Sequence, residues 1–563
     1  MSIASAIENA QLKVQNAYRA LEEKGAILPE VRNLENLPDS ILTVSDMRAQ
    51  EKTVTPTTEE QVITPDVEEN YNALSSVIVS GVTSEIDSNI TPSNIKGGVS
   101  ILGVTGGIYV GDCIVRVVDY DGTVLKEVKD LGEGAQVELP EPPRHEGLIF
   151  QGWSSPVDIV DNKVTVTNSD INIGPMYETV SGFSEFDVVV TEVTGSTVYL
   201  NLSGNKDWGD GNIDDSNFHT YVSPGRYTIT YTGNDTIIPS YVNSSSGGVS
   251  KDYTLVSVRL SSNIRTIQDG AFYGCSSLVS ITMPRTLSSI QQYPFDTCTS
   301  LVSVIIPEAV EEVGSFPSCF SLRFVVLPKY LKTLGSNAFQ DCFSLDSISI
   351  PQSVTDLGLL TFRGCSFKNA VIPNGISSLS ISVFQNCNYL NRLYIPESVR
   401  TFDSNLFDGC ESLKLINIPE GVTAIPECAF RSTMLHEIEL PTTLKSIGDY
   451  SFRYCKFLKT LRLPVSLESI GLHAFSDCIN ITSVKFFGNN PSSSLTISGH
   501  AFKSCTSVTE YDFTSFSAVP TLSHTNAFSE ISKICKIKVP LSLEAEWKSA
   551  TNWSTFVDYI VGV

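Results

Sequence analysis

The sequence is poor in the residues that most catalytic chemistry, nucleic-acid binding and membrane insertion require. Its 563 residues include only six His and five Met, and 38 Lys and Arg stand against 62 Asp and Glu. The formal net charge of −24 would repel a polyanion, so nucleic-acid binding is not expected. No apolar run approaches the roughly 20 residues that span a bilayer, so membrane insertion is not expected either.

Recognised catalytic and metal-binding motifs are also missing. The sequence has no His-Glu-x-x-His, Gly-x-Ser-x-Gly, Walker or dinucleotide-binding motif, and its six histidines are scattered. We therefore predict no catalytic residue, no cofactor and no metal, although a glycosidase pair of carboxylates assembled from distant turns would leave no local signal. Residues 1–10 have neither the basic start nor the continuous apolar stretch of a secretory signal, so folding in the cytoplasm is expected.

Two ladders of residues are the dominant feature of the second half. Ten cysteines recur at about 21–23 residues, with one longer last step, and each follows a Phe by three positions. They are Cys275, Cys298, Cys319, Cys342, Cys365, Cys387, Cys410, Cys455, Cys478 and Cys505. The one skipped repeat has Thr433 in place of Cys but keeps Phe430, and a proline ladder from Pro284 to Pro464 runs with the same period. Two independent ladders with one period predict an internal repeat.

Each repeat is predicted to contribute one short strand to a stack. The alternation of Ile281 and Met283 suits a strand with one buried face, and Pro284 ends the pairing because it has no N–H to donate. No repeat can bury its own face, so stacked repeats form one continuous core with the Phe and Cys columns inside. The thiols are then small buried hydrophobes; disulfides between neighbouring repeats and metal binding are the alternatives, although no Cys-x-x-Cys pair is present.

The repeats resemble the BspA-like leucine-rich repeat family. The resemblance is carried by a strand ending in a proline, a Ser-Ile or Thr-Ile pair, and a turn with Phe and Cys, as in Leu440-Pro441, Ser446-Ile447, Phe452 and Cys455. It covers about residues 253–510 and implies a recognition scaffold rather than a chemistry. The tail at 538–553 resembles the closing segment that often follows such repeats, and a solenoid end requires such a cap.

The N-terminus is predicted to attach or to oligomerise. Ile3, Ile7, Val14 and Leu21 recur at helical spacing within residues 3–24. Three heptads are marginal alone, so this helix is expected to oligomerise or to dock onto a partner; packing on its own domain is the alternative.

Residues 1–110 resemble the N-terminal region of phage and prophage tail or fibre proteins. The helix, the segment 33–38 and the Gly-rich segment 90–106 carry the resemblance. It implies attachment to other virion proteins of the tail, neck or capsid, and a homo-oligomer, either a dimer or a trimer.

Two small β modules are predicted between this region and the repeats. Gly147, Phe150, Gly152 and Trp153 give residues 111–180 a resemblance to the Listeria–Bacteroides (internalin B-type) repeat, which implies a β-grasp-like spacer or adhesive module.

Residues 181–250 resemble a PKD-type β-sandwich. The motif Trp208-Gly209-Asp210-Gly211 and the segment 218–230 carry this resemblance. Four acidic residues of the same region could hold Ca²⁺ through oxygen ligands or form a solvated acidic turn. They are Asp207, Asp210, Asp214 and Asp215. A flexible joint is expected at 243–248.

A candidate binding stripe follows from the strand geometry. In each short strand, the residue between the two inward positions points outward. The middle of that column is apolar, and the candidate stripe consists of Ile305, Val326, Val371, Tyr394 and Asn417. It could bind a host receptor or glycan, pack against a neighbouring subunit or domain, or be isolated residues on a sheet.

Taken together, these patterns predict a mainly β, multidomain protein with an N-terminal helix, β-grasp-like and β-sandwich modules and a BspA-like solenoid. The predicted domains are 1–49, 50–110, 111–180, 181–250, 251–510 and, as a C-terminal repeat or cap, 511–563. The predicted function is a bacteriophage virion fibre or spike that recognises a receptor or glycan on the host surface. The alternative is a bacterial cell-surface adhesin of the BspA type.

Overall fold

The computed structural model describes most of the chain from residue 113 onward. The described residues are 49–54, 73–79, 100–101, 104–105, 113–167, 169–191, 196–238, 253–314, 316–488 and 495–563. The predicted helix with Ile3, Ile7, Val14 and Leu21 lies outside them.

The chain divides into two units, residues 1–108 and 109–563. The first contains four described strands, which are β1 (Ala49–Val54), β2 (Ala73–Val79), β3 (Ser100–Ile101) and β4 (Val104–Thr105). Strands β1 and β2 pair in parallel, and β3 and β4 pair antiparallel.

Seven strands form the first β module, residues 113–180. They are β5 (Cys113–Val118), β6 (Val124–Leu131), β7 (Gln136–Glu138), β8 (Leu148–Ser154), β9 (Ile159–Val160), β10 (Lys163–Thr165) and β11 (Ile171–Thr179). One sheet has the order β6-β5-β11-β8 and the other β7-β10-β9, and their apolar faces share one core around Val115, Val164 and Ile173. None of the residues described in 113–180 is helical, so the module consists of a pair of small sheets, and its resemblance to the internalin B-type repeat remains a prediction.

The second β module, residues 184–238, is built into the start of the solenoid. Its strands are β12 (Ser184–Val190), β13 (Ser196–Tyr199), β14 (Lys206–Asp207), β15 (Ile213–Asp214), β16 (Phe218–Tyr221), β17 (Gly225–Tyr231) and β18 (Ile237–Ile238). Strand β12 pairs antiparallel with the first long strand of the solenoid, and β18 pairs in parallel with the first short one. The module thus covers both edges that a solenoid end would expose. It therefore caps this end of the solenoid, and the predicted flexible joint at 243–248 lies outside the described residues.

The solenoid has two ladders of strands, which pair in parallel wherever successive turns are paired. The long-strand ladder comprises β19 (Tyr253–Arg259), β21 (Ser280–Thr282), β23 (Ser303–Ile305), β25 (Phe324–Val326), β28 (Asn369–Val371), β30 (Arg392–Tyr394), β32 (Leu415–Ile416), β35 (Thr460–Pro464), β37 (Ser483–Phe487), β39 (Glu510–Asp512) and β41 (Lys536–Val539). The short-strand ladder comprises β20 (Thr266–Ile267), β22 (Ser289–Ile290), β24 (Glu312–Val313), β26 (Thr333–Leu334), β27 (Asp356–Leu357), β29 (Ser378–Leu379), β31 (Thr401–Phe402), β33 (Ala424–Ile425), β34 (Ser446–Ile447), β36 (Ser469–Ile470), β38 (Thr496–Ile497) and β40 (Thr521–Leu522). This mainly β solenoid confirms the predicted fold class.

A column of stacked phenylalanines fills the core between the ladders. Its members are Phe272, Phe295, Phe316, Phe339, Phe362, Phe384, Phe407, Phe430, Phe452, Phe475, Phe502 and Phe528, all of them buried. Neighbouring ring centroids lie 4.9–6.0 Å apart and the ring planes differ by 2–19°. Such aromatic pairs stabilise a core beyond the area that they bury.

The cysteine column runs beside the phenylalanines and closes the turns. Nine thiols each donate a hydrogen bond of 3.0–3.3 Å to the backbone carbonyl of the core Phe one turn earlier. These nine ladder thiols, which are all those after Cys275, belong to Cys298, Cys319, Cys342, Cys365, Cys387, Cys410, Cys455, Cys478 and Cys505. In the repeat whose ladder position has no cysteine, Thr433 Oγ1 donates to the Phe430 carbonyl at 2.9 Å and lies 3.2 Å from Cys455 Sγ. The thiols therefore serve as small buried donors, and they give most of these carbonyls a second hydrogen bond beside the one from the backbone N–H three residues later.

These ladder thiols should be unreactive in the native protein. Burial raises the pKa of the Cys387 and Cys505 thiols to about 12, and only the thiolate is nucleophilic. At pH 8, we expect a thiol reagent to label none of the nine before unfolding and all thirteen cysteines after it. The control is Ser344→Cys, which places a thiol at an exposed position two residues after Cys342 and should react at once. Rapid native labelling of ladder peptides, measured by mass spectrometry, or recovery of disulfide-linked ladder peptides would contradict this role.

The C-terminal end is closed by aromatic packing. It contains two 3-10 helices, Leu541–Leu543 and Trp553–Phe556, with helix α1 (Glu544–Ser549) between them and strand β42 (Ile560–Gly562) after them. Trp547 and Trp553 are fully buried, with ring centroids 4.6 Å apart, and both contact Phe513. The stack continues into residues 511–563, predicted as a C-terminal repeat or cap, because Phe528 stacks on Phe502 with ring centroids 5.3 Å apart. The cysteine ladder did not reveal that turn because Ile531 stands three residues after Phe528.

Candidate ligand-binding surfaces of the solenoid

The first β module lies across the outward face of the long-strand ladder and covers the start of the predicted stripe. Ile305 and Val326 are 5% and 0% exposed and pack with Met176 and Tyr120 of that module. The chain passes so close at Gly174 that a Cβ there would lie 2.5 Å from Ile305 Cδ1. Ile305 and Val326 therefore face their own chain, which corrects the expectation that they meet a receptor.

Polar contacts surround this apolar contact. Arg116 is 7% exposed; its Nη1 donates to Ser347 Oγ at 2.7 Å and its Nε to Glu127 Oε2 at 2.6 Å. Ser154 Oγ donates to the Ile306 carbonyl at 2.7 Å. Of the three roles predicted for the stripe, Ile305 and Val326 have the second: they pack against a neighbouring domain of the same chain.

The remaining stripe residues do not form a continuous exposed surface. Val371 is buried and Tyr394 is half-buried, and burial raises the pKa of the Tyr394 hydroxyl. Asn417 accepts from the Ile395 N–H at 2.9 Å and donates to its carbonyl at 2.6 Å. The Asn417 amide therefore pairs with the backbone N–H and carbonyl of Ile395, as a neighbouring strand would. Tyr394 is then the stripe residue whose apolar side chain is partly exposed.

Exposed aromatic side chains gather instead at the turn that carries the repeating cysteine. We call these residues the turn ridge: Tyr273, Phe320, Phe343, Tyr389, Tyr454 and Phe457. Phe320 and Phe343, 43% and 53% exposed, stack across adjacent turns with ring centroids 5.3 Å apart. Exposed apolar surface of this kind on a folded domain usually marks a contact site. Sequence reasoning missed the ridge because it examined only the strands; the signal was an aromatic residue within two positions of the repeat cysteine.

The C-terminal part of the ridge is also cationic. The Arg453 guanidinium carbon lies 4.5 Å from the Tyr454 ring centroid, and Lys456 Nζ lies 5.9 Å from the same centroid. Cation–π contacts of this kind hold the charged groups over the ring. The ridge thus offers an apolar pair at Phe320 and Phe343 and a basic aromatic cluster around Tyr454.

The acidic turn of the second module is occupied by internal hydrogen bonds. Asp214 Oδ1 accepts from Trp208 Nε1 at 3.0 Å, and this hydrogen bond lowers the pKa of the Asp214 carboxyl. Asp210 Oδ2 lies 2.8 Å from His219 Nε2. Within the part of the chain that the structure describes, no group of three or more His, Cys, Asp or Glu side chains is placed to hold a metal ion. In the same part, no helix combines the length and the apolar character needed to cross a membrane.

One protein family matches the solenoid. The family model described as BspA type Leucine rich repeat region matches six copies, over residues 249–316, 312–436 and 423–550. No curated protein matches the chain. The matched residues include both ladders, the Phe and Cys columns and the turn ridge.

Several solved structures are similar to the chain. A leucine-rich repeat protein from Bacteroides ovatus is 18% identical, with a TM-score of 0.30, over 57% of this chain and 97% of that one. The pneumococcal vaccine antigen PcpA is 21% identical, with a TM-score of 0.40, over 58% of this chain and 83% of that one. The leucine-rich repeat protein TpLRR of T. pallidum is 31% identical, with a TM-score of 0.27, over 30% of this chain and 86% of that one.

Proposed function

The chain belongs to the family with BspA type leucine-rich repeats, and from this premise we propose that it is an adhesive recognition protein whose solenoid binds a ligand on a cell surface. The turn ridge is the observation that supports this function. Its aromatic side chains stand on five turns, of which those of Phe320 and Phe343 are adjacent, and the turns share a core held by stacked phenylalanines and thiol hydrogen bonds. Strands of stacked turns lie about 4.8 Å apart, so an extended ligand can meet several side chains at once. Several weak contacts on one rigid support raise avidity without a single strong site.

A bacterial cell-surface adhesin is the form of this function that we favour. The family match covers residues 249–550, the part of the chain that would touch a ligand. The phage virion role, its virion partners and the dimer or trimer depend on residues 1–110, most of which lie outside the described residues. These remain predictions. Detection of the protein in purified virions, rather than in the surface fraction of bacterial cells, would favour the phage role.

Removing two ridge residues should weaken adhesion. Interface aromatics commonly contribute more than 1 kcal/mol each, so Phe343→Ser combined with Tyr389→Ser should lower affinity for a bound surface by about tenfold or more. Both residues are more than half exposed, so the variant should fold as the parent does. The measurement is retention of the purified full chain on a panel of bacterial and epithelial cells.

Tyr330→Ser is the matched control for this experiment. Tyr330 is 60% exposed, like Tyr389, but lies outside the ridge, two residues after the repeat proline. It should leave adhesion unchanged. If the parent binds no cell surface, or the ridge variant binds as well as Tyr330→Ser, the proposed function is wrong.

A further inference from the structure

One repeat of the solenoid is shorter than its neighbours. Phe295 and Phe316 are separated by 316 − 295 = 21 residues, whereas Phe316 and Phe339 are separated by 339 − 316 = 23. The missing residues fall after the short strand: Val313 is three positions before its core Phe, and Leu334 is five before its own. Phe316 nevertheless remains buried in the Phe column, 4.9 Å and 5.8 Å from its neighbours. The shortening is therefore absorbed at the surface and not in the core.

The shortened turn opens a notch in the surface of the solenoid. Gln291 and Gln292 of the preceding turn form one wall, Gly335 of the following turn forms the other, and Glu312 and Gly314 lie between them. The cavity has a volume of about 630 Å³, within the usual range for a small-molecule site. Gly314 is required there, because a Cβ at this position would lie 1.8 Å from the Gln291 carbonyl oxygen.

The lining combines polar side chains with Ile290, Ala309 and Val313, and none of its residues is a Lys, Arg or His. It includes the carboxylates of Asp269, Glu311 and Glu312 and the hydroxyls of Ser289 and Thr333. Lys332 Nζ, next to the lining residue Thr333 in the chain, is paired with Glu311 Oε2 at 2.5 Å. An anionic ligand would be repelled by this wall, whereas carboxylates and amides form strong hydrogen bonds with sugar hydroxyls.

We propose that the notch binds a neutral sugar unit of a surface glycan. Glu312 and Asp269 accept hydrogen bonds from sugar hydroxyls, and the exposed amide of Gln292 both donates and accepts. This inference rests on the proposed function, since it names the chemical class of one ligand of the adhesive solenoid. The notch is a second binding surface, separate from the turn ridge. A notch fixes the orientation of its ligand, whereas exposed rings mainly add contact area.

The test uses the full chain and immobilised oligosaccharides, with neutral hexose, N-acetylated and sulfated probes. We expect the parent to bind neutral or N-acetylated probes and Glu312→Gln to bind them about tenfold more weakly, because the change removes a charge-assisted hydrogen bond. Asp356→Asn is the matched control: Asp356 is also exposed and occupies the same position of its short strand, two turns further on. A second variant with two residues inserted after Gly314, which restores the 23-residue spacing, should abolish binding.

The outcomes separate this inference from the proposed function. If the parent binds no neutral or N-acetylated probe, prefers sulfated probes, or is unaffected by both notch variants, the notch inference is overturned. If the notch variants lose sugar binding as expected but the parent adheres to no cell surface, the notch stands and the proposed function fails. If cell adhesion depends on the ridge while neither notch variant alters sugar binding, the proposed function stands alone.

Discussion

Phe339→Ala should lower the free energy of unfolding by about 3–5 kcal/mol, the usual cost of truncating a fully buried Phe. Phe339 is 0% exposed and stacks between Phe316 and Phe362 with centroid distances of 5.8 Å and 6.0 Å. Its loss leaves a cavity between two rings that cannot close, because strand pairing on both sides fixes the distance between turns. In a solenoid each turn contacts only its neighbours, so the defect also weakens the coupling between the two halves of the stack. Urea unfolding followed by circular dichroism measures the change.

Phe343→Ala is the matched control, because it changes the same residue type four positions later in the same turn. Phe343 is half exposed and stacks only on Phe320, so its loss should cost no more than about 1.5 kcal/mol, the upper value for an aromatic pair. Equal costs for the two variants would mean that the Phe column does not carry the stability of the solenoid. Hydrogen exchange should show the loss concentrated in the turns that flank Phe339.

The solenoid could be predicted from the sequence because its contacts repeat. The Phe, Cys and Pro ladders have one period, and each ladder residue meets its equivalent one turn away, so spacing alone places them in one core. The same reasoning did not place the turn of Phe528 within the predicted C-terminal repeat or cap, because Ile531 takes the position of the cysteine there. The ladder thus reveals a turn only where its marker residue is kept.

Contacts between distant segments could not be predicted in this way. Ile305 and Val326 match the outward apolar pattern expected of a binding stripe, but they pack under Met176, which lies far away in the sequence and outside any repeat. Strand β12 joins the solenoid sheet by pairing with β19, and neither strand carries a sequence signal for that partner. An outward apolar column therefore predicts a contact surface without telling whether its partner is another molecule or an earlier segment of the same chain.

The notch and the ridge could be predicted from the sequence only in part. The 21-residue step at Phe316 is visible in the sequence, yet only the structure shows that the core absorbs none of the shortening. The ridge residues vary in type and position around the cysteine, so no strict column reveals them. Their common surface arises because all the turns project on one side of a continuous core.

Arg116→Ala should detach the first β module from the solenoid. The Arg116 side chain is 9% exposed and joins Glu127 of its own module to Ser347 of the solenoid. The contacts that Arg116 makes across the interface are the hydrogen bond to Ser347 and an ion pair with Asp346 at 3.5 Å, and a hydrogen bond of a charged group contributes about 1.5–3 kcal/mol. Ser347 keeps a hydrogen bond to Asn172, but Glu127 would retain only the exposed Lys129. We expect hydrogen exchange of β11 and β23 to rise by about thirtyfold or more, the factor that 2 kcal/mol corresponds to.

Lys329→Ala is the control for Arg116→Ala, because it removes an exposed ion pair from the same interface. Lys329 pairs with Asp158 of the module, but Asp158 is 71% exposed, and exposed ion pairs contribute at most about 1 kcal/mol. This variant should therefore leave exchange in β11 and β23 within about fivefold of the parent. If the two variants behave alike, the module is held by the apolar contact of Met176 with Ile305 and Val326 and not by Arg116. Detachment would expose those two side chains, so the Arg116 variant is also the form of the chain in which the originally predicted stripe becomes accessible to a ligand.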